Sequence, residues 1–303
     1  MNNNMTKLKT QDFKCEWKSA VSSENKVKPS KRIWDQWLAG FVDADGCFLV
    51  SKAVLSCEVT TNIDDEPMLR EIQKTLGGSV KSRSGSTSVR WRLTHRAGMR
   101  DLCQRVNGHI RYSVRYRQFE KVCDHLKMHI IPPVTLCKNS GYVAGLWDGN
   151  GSITIGVSKS SASNSVLPHI YGKMIRLIYS RGHHQLSIHI DSSEKALLDS
   201  CKSVLNHGSI ISKNPYDNPK HRGTGCNGRC PHYRFYWTSF DDVNRWKVYL
   251  EKTKAGRSLK HRRLRLVHRY FKLKAQKAHL AEETSALWKR WRDFCHAWYN
   301  IPK

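Results

Sequence analysis

LAGFVDADGCF (residues 38–48) begins as an apolar run and finishes in two aspartates, Asp43 and Asp45, with Gly46 directly behind them. Its apolar residues recur at helical spacing from Ile33 onward and Gly46 suits the residue just past a helix end, so the stretch reads as a buried helix ending in carboxylates. VAGLWDGNGSI (143–153) repeats the pattern, with Asn150 where the first copy has Asp45. Gly40 and Ala44 stand four apart in the first run, as do Gly145 and Gly149 in the second. Small residues at that spacing let two helix backbones approach closely. Packed side by side, the two helices would bring Asp45 and Asn150 together. Oxygen donors gathered on a phosphate-binding surface suit Mg²⁺, and metal ions clamping attacking and leaving oxygens are a known route to phosphodiester hydrolysis.

The repeat extends beyond the two runs. Leu38–Gly46 aligns with Val143–Gly151 at an offset of 105 residues, GGSVKS (77–82) with HGSIIS (207–212) at 130, and RYSVRYRQFEKV (111–122) with GRSLKHRRLRLV (256–267) at 145. A growing offset is the mark of a duplicated unit whose second copy gained residues, near 158–183 and 214–231. Both places are rich in Ser, Asn, Gly and Pro and read as loops. Within a copy the periods run helix, strand pair, helix, strand pair, helix, helix, which predicts an α+β fold of two tandem αββαββα units related by a pseudo-two-fold axis. The expected organisation is a basic arm over 1–31, a first unit over 32–129, a Pro-containing linker over 130–141, a second unit over 142–280 and a C-terminal helical extension over 281–303.

The 303 residues carry 52 Lys and Arg against 25 Asp and Glu, a net charge of +27, with ten Trp and eleven Tyr interleaved. Charge of that size points to a polyanionic partner, and nucleic acid before a membrane surface. No run approaches the ~18 apolar residues of a membrane span. Residues 1–31 contain no arginine and include Asp12, Glu16 and Glu24, unlike a secretory or transit leader. Ten scattered cysteines imply reduced thiols in an intracellular setting and not a secreted protein, with organelle (chloroplast or mitochondrion) and nucleus both open. Helices on one face of each four-stranded sheet would leave the other face for a duplex. On it the pattern places Lys81, Arg83, Arg90 and Arg92, with Glu58 and Thr60, in the first unit and Lys213 in the second.

The paired LAGFVDADG and VAGLWDGNG runs, at this separation in a basic chain, resemble the LAGLIDADG homing endonucleases in their single-chain, double-motif, group I intron-encoded form. The resemblance covers roughly residues 34–280. It implies two sheets forming a saddle over a long asymmetric double-stranded DNA site, Mg²⁺-dependent cleavage by a monomer, and, for some members, a maturase role on the host intron RNA. Carried over by position, it makes Asp45 the metal-binding acid, offers the backbone carbonyls of Ala44 and Gly149 as further ligands, and makes Asp43 and Asp148 structural. Arg115 and Lys260 become the basic residues beside the scissile phosphates, and Thr61 a water-positioning residue. Asn150 departs from the pattern: its amide oxygen can still reach a metal, but it brings no charge. Slower cleavage, nicking of one strand, and binding without cleavage all remain open, as does a purely RNA-binding role or that of a DNA-binding regulator.

Three further signals are weaker. His221, Cys226, Cys230 and His232 are zinc-ligating types in one Gly-rich stretch, without a strong zinc spacing. Residues 251–280 hold eleven Lys and Arg against the single acid Glu251, and with Leu259, Leu266, Val267, Tyr270 and Phe271 read as an amphipathic helix with its basic side toward nucleic acid. Trp288, Trp291 and Trp298 form a stripe that reads as core before it reads as a base-stacking platform.

Overall fold

The computed structural model describes residues 29–52, 54–158, 169–213 and 232–299. The chain opens with α1 (Pro29–Asp45), β1 (Gly46–Ser51), β2 (Val54–Asn62), α2 (Glu66–Leu76), β3 (Ser79–Ser82), β4 (Ser88–Leu93), α3 (Arg96–Val106) and α4 (Ser113–Leu126). The strands form one antiparallel sheet in the order β1-β2-β4-β3. After the linker come α5 (Tyr142–Asn150), β5 (Gly151–Val157), α6 (His169–Ile178), β6 (His184–Ser192), α7 (Lys195–Leu205), β7 (Ser209–Lys213), β8 (His232–Trp237) and α8 (Phe240–Thr253). The second sheet repeats the order as β5-β6-β8-β7. The α9 (Lys260–Leu264), α10 (Val267–Ala275) and α11 (Ala286–Tyr299) helices complete the chain.

Strand alternation sends one set of side chains inward. In the first sheet Cys57, Val59, Val89, Trp91 and Leu93 are buried against Leu69 and Ile72 of α2, Met99 and Leu102 of α3 and Phe119 of α4. Their neighbours Glu58, Thr60, Arg90 and Arg92 face the open side. The second sheet buries Leu186, Ile188, Ile190, Phe235 and Trp237, and the Trp237 ring stacks on Trp246 of α8 with centroids 4.9 Å apart. Each four-stranded α+β unit therefore leaves one polar sheet face free of helices.

The α1 and α5 helices join the units. Trp37, Leu38, Phe41 and Val42 are completely buried, each removal from water stabilising the fold by about 1.5–3 kcal/mol. Contact is too close for side chains at the glycines. A Cβ on Gly40 would lie 2.1 Å from the Tyr142 carbonyl oxygen, and one on Gly145 would lie 1.9 Å from that of Trp37. Lower down, a Cβ on Gly149 would meet that of Ala44 at 2.3 Å. The expected small-residue seam is present, and Gly141, whose Cβ would strike the Ile33 carbonyl at 2.3 Å, extends it.

Two expectations change. The 158–183 insertion is not all loop: α6 lies in it and buries Met174, Leu177 and Ile178 beside α11, where the Trp291 indole donates to the Leu177 and Ile178 carbonyls. Residues 251–280 are not one helix. The end of α8, then α9 and α10, share the segment, and Leu264, Val267, Tyr270 and Leu273 carry the buried stripe across the break. Trp288, Trp291 and Trp298 are buried as core. No helix among the described residues is long and apolar enough to cross a membrane.

Gly145→Ala is expected to destabilise the protein by about 3 kcal/mol in urea denaturation, since the added methyl meets backbone, whereas Gly156→Ala, with only one atom at 3.9 Å from its Cβ position, is expected to be near neutral. Equal effects would mean the seam is not close-packed. A second expectation concerns acid. His184 is buried between β6, α10 and α11, its Nδ1 3.1 Å from the Tyr270 hydroxyl and its ring 4.4 Å from that of His279. Burial, then the nearby His279, Lys274 and His183, pushes its pKa down to about 3. The folded state thus holds this ring neutral while the unfolded chain protonates it near pH 6.5, so the contribution is complete above pH 6.5 and is lost as pH falls toward 3. His184→Gln should flatten the pH dependence of unfolding in that window by up to ~1.4 kcal/mol per pH unit; an unchanged slope would show that the ring does not titrate on unfolding.

Candidate functional site

Asp43 and Asp148, the first acids of the two runs, are both buried. Asp43 Oδ2 accepts from the Arg111 and Tyr112 amides at 2.7 and 3.1 Å, fixing the start of α4, and from the Tyr142 hydroxyl at 2.6 Å. Asp148 accepts from the Arg257 and Ser258 amides at 2.9 and 3.1 Å, just ahead of α9, and from the Trp37 indole at 2.9 Å. Trp37 and Tyr142 occupy equivalent places in the repeat, so each helix sends an aromatic donor to the other's first acid. The environments then diverge. Burial pushes Asp43 up to about 7 against the pull of its three donors. Burial acts on Asp148 in the same direction, but His261, Ser258 and Trp37 hold it below the usual carboxylate range. Both acids carry structure, Asp148 accepting at both oxygens and Asp43 at Oδ2 alone, its buried Oδ1 having no partner among the described residues.

Asp45 ends α1 half-buried at the seam, its Oδ2 3.2 Å from where a Gly149 Cβ would stand. It therefore reaches across to the end of α5, as the helix pairing requires. Burial pushes its pKa up to about 6, with Lys260 and then Arg115 pulling the other way and Asp65 adding to the rise. Asn150, the last residue of α5, is exposed.

The two basic residues occupy equivalent seats. Arg115 Nε donates to the Val42 carbonyl near the end of α1 at 3.2 Å, while its Nη1 donates to Gln118 Oε1 at 2.9 Å. Lys260 Nζ donates to the carbonyls of Trp147, Asp148 and Gly149 at 3.1, 2.6 and 2.9 Å. Cations at helix C-termini complement the helix dipole. Burial lowers the Lys260 pKa, opposed by Asp148, Asp65 and Asp45. The Gly149 carbonyl, an expected ligand, accepts one of these bonds from Lys260 and keeps a second lone pair. Thr61 pairs with Val89, on the inward alternation of Cys57 and Val59, and so sits on the helix side of β2 and away from the open face.

Sequence reasoning missed the carboxylates that cross between units. Asp65, preceding α2, accepts from the Leu259 amide at 2.7 Å, next to Lys260. Glu194, preceding α7, accepts from the Ser113 amide at 3.0 Å and from its hydroxyl, two residues before Arg115. Each unit thereby braces the other's basic helix from the end of its own second strand. Arg257 adds a third tie, paired with Glu71 at 3.0 Å and lying 4.2 Å over the Trp37 ring. The only trace in sequence is the acid directly before each helix.

The open faces are less purely cationic than expected. Glu58 lies between Arg90 at 3.0 Å and Arg92 at 2.9 Å, across the β2–β4 ladder. Lys81 stands opposite Arg90, and Arg83 follows β3 at the hairpin tip. On the second face Arg234 makes a bidentate bridge to Asp191, both contacts 2.7 Å, with His189 and His232 each 3.8 Å from that acid and Lys213 opposite His232. Asp191 stands where the first sheet has Thr60. Planar guanidinium groups held in place this way keep donors free for base edges or phosphates. Of the zinc-type residues, His221, Cys226 and Cys230 lie outside the described residues and His232 sits beside Asp191. Among the described residues no three His, Cys, Asp or Glu side chains converge on a metal-sized site, and the described cysteines are free thiols.

A family model described as LAGLIDADG endonuclease matches residues 38–126. The chain is 31% identical over 277 residues to the probable intron-encoded endonuclease aI2 of Debaryomyces hansenii, covering 91% of this chain and 39% of that protein. It is 32% identical over 276 residues to the intron-encoded RNA maturase bI4 of Saccharomyces cerevisiae, covering 90% and 38%. The chain thus spans about two fifths of the length of these two relatives. In structure it resembles the I-LtrWI LAGLIDADG homing endonuclease bound to target DNA, with a TM-score of 0.61 at 15% identity over 88% of this chain and 98% of that one. The meganuclease I-SmaMI bound to uncleaveable DNA gives 0.61 at 17% identity over 87% and 98%. The matched motif, the second copy of it on α5 and the two-sheet architecture shared with these solved structures give the chain the fold of the LAGLIDADG endonucleases.

Proposed function

We propose that this chain is a site-specific endonuclease that lays its two sheets along a long asymmetric DNA duplex and hydrolyses phosphodiesters at the α1–α5 junction with Mg²⁺. The observation that carries the reading is Asp45, half-buried at the seam with Arg115 and Lys260 seated beside it, between two arginine-bearing sheet faces. The intron-encoded endonuclease relatives and the DNA-bound structural neighbours support it. So does the presence of both interface helices in one chain, which lets a monomer complete the site.

The donor set fits a hard divalent cation. It offers oxygen only: the Asp45 carboxylate, the Ala44 carbonyl, the Asn150 side-chain oxygen and the Gly149 carbonyl, whose second lone pair remains beside Lys260. When bound, such a cation polarises the phosphate and lowers the pKa of a coordinated water. The chain's own part is positional. Arg234, Arg90 and Arg92 fix the duplex on the sheets, the seam holds Asp45 where the two faces meet, and Arg115 and Lys260 place positive charge where the pentavalent phosphate gains negative charge. With one intact acid for two strands, the halves of the site are unequal, and Asn150 marks the weaker half.

Incubation with Mg²⁺ and a plasmid library of intron-insertion sequences tests this. Wild type is expected to nick or linearise one class of plasmid, Asp45→Ala to lose at least 100-fold in rate while keeping DNA affinity, and Asn150→Asp to increase linear product. Wild type and Asp45→Ala behaving alike would end the catalytic reading. A second role, in splicing its host intron, is favoured by the 32% identity to an RNA maturase. Crosslinking in the host is expected to recover intron RNA as well as DNA; recovery of DNA alone would remove that role. The intron-encoded relatives support a location in an organelle, with the nucleus as the alternative.

A further inference from the structure

The edge of the second sheet borders a cavity of about 320 Å³ walled by β5, α6, α9 and α11. Two of these, α6 and α11, lie in segments that the first unit lacks, since β1 there runs into β2 with only two residues between them. Three cations line it: Lys173 and Arg176, three residues apart on α6, and Arg263 on α9. No acidic side chain lines it, and none of the three has a carboxylate partner among the described residues. Arg263 is held in place, its Nε and Nη1 each donating at 3.3 Å to the Trp298 and Ile153 carbonyls and its guanidinium lying 5.6 Å from the Trp298 ring centroid. Arg176 makes one long bond, 3.4 Å, to the Val157 carbonyl. Lys173 is exposed. The remaining wall is mostly aromatic and apolar, with Trp298, Tyr299, Ile155 and Val157 beside Thr154.

Cations without a carboxylate partner are common in a chain of net charge +27, but these three are set apart by converging on one aromatic and apolar hollow, where like charges repel. An anion would relieve the repulsion. A volume of a few hundred Å³ is the size of a small-molecule site, and aromatic walls suit a planar ring. A duplex cannot enter such a hollow, but a nucleotide that is free or splayed out of a single strand can. We propose that this cavity binds one nucleotide, its phosphate between Lys173, Arg176 and Arg263 and its base against Tyr299 and the apolar floor. The ligand is a phosphate-bearing aromatic base, supplied as a mononucleotide or within a single strand. The site is separate from Asp45 and does not depend on cleavage.

The test uses the full chain and a Lys173→Ala/Arg176→Ala variant, leaving Arg263 in place because it ties α11 to β5. Binding of a labelled 12-nucleotide single-stranded RNA and of a blunt DNA duplex is measured at one fixed salt concentration, with 5′-adenosine monophosphate as competitor and thermal melting as the folding control. The double variant is expected to melt like wild type and to bind the single strand at least tenfold more weakly, with duplex affinity changed less than twofold. Asp45→Ala should leave single-strand binding unchanged. Competition by the mononucleotide at millimolar concentration identifies a free nucleotide as sufficient; displacement by unlabelled oligonucleotide alone identifies the strand. Equal weakening of single strand and duplex would reduce the three cations to general charge and overturn the proposal, as would no weakening in a variant that melts normally.

Discussion

Two helices whose backbones touch determine the rest of this molecule. Side chains larger than hydrogen are excluded at Gly40 and Gly145, where a Cβ would lie about 2 Å from the opposite helix's carbonyl oxygen. That approach leaves α1 and α5 side by side with their C-terminal ends adjacent. Everything chemical then follows from what each helix carries at its last turn. Because both chain segments continue directly into an edge strand, the same contact also fixes where β1 and β5, and hence the two sheet faces, stand relative to the junction.

The seam is reinforced by reciprocity. Trp37 reaches Asp148 and Tyr142 reaches Asp43, so each half completes the other's buried hydrogen bonds. Removing one donor would leave a buried carboxylate with one hydrogen bond fewer, at a cost of about 1–3 kcal/mol. The crossing carboxylates Asp65 and Glu194 extend the scheme outward, tying the end of each unit's second strand to the start of the other's basic helix. The residues just past each unit's second strand are therefore bonded to the start of the helix that carries Lys260 or Arg115 in the other.

Much of this is legible in the sequence alone. The two nine-residue runs, the steady growth of the repeat offset and the change of period from helix to strand led to the units, the sheets and the seam, because each is a local pattern repeated twice. The choice between Asp43 and Asp45 was a different matter. Both acids look alike in sequence, and the resemblance to a family separated them before the geometry of Arg111, Tyr112 and Tyr142 gave a physical reason. The cross-unit carboxylates were out of reach, since Asp65 and Leu259 are 194 residues apart and nothing local marks the pair. The α6 helix was hidden by its polar flanks. The break between α9 and α10 carries no Gly or Pro, and the buried stripe runs through it without a phase change. Glu58 and Asp191 changed the picture of the sheets, from rows of bare cations to arginines held in fixed poses.

The central claim is that one seam serves two strands with unequal acids, Asp45 on one side and Asn150 on the other. The most direct measurement is single-turnover cleavage, in Mg²⁺, of a duplex carrying the insertion sequence and labelled differently on each strand. The expected result is that one strand is cut first and a nicked duplex accumulates before the second strand is cut. Equal rates on both strands with no nicked intermediate would contradict the account.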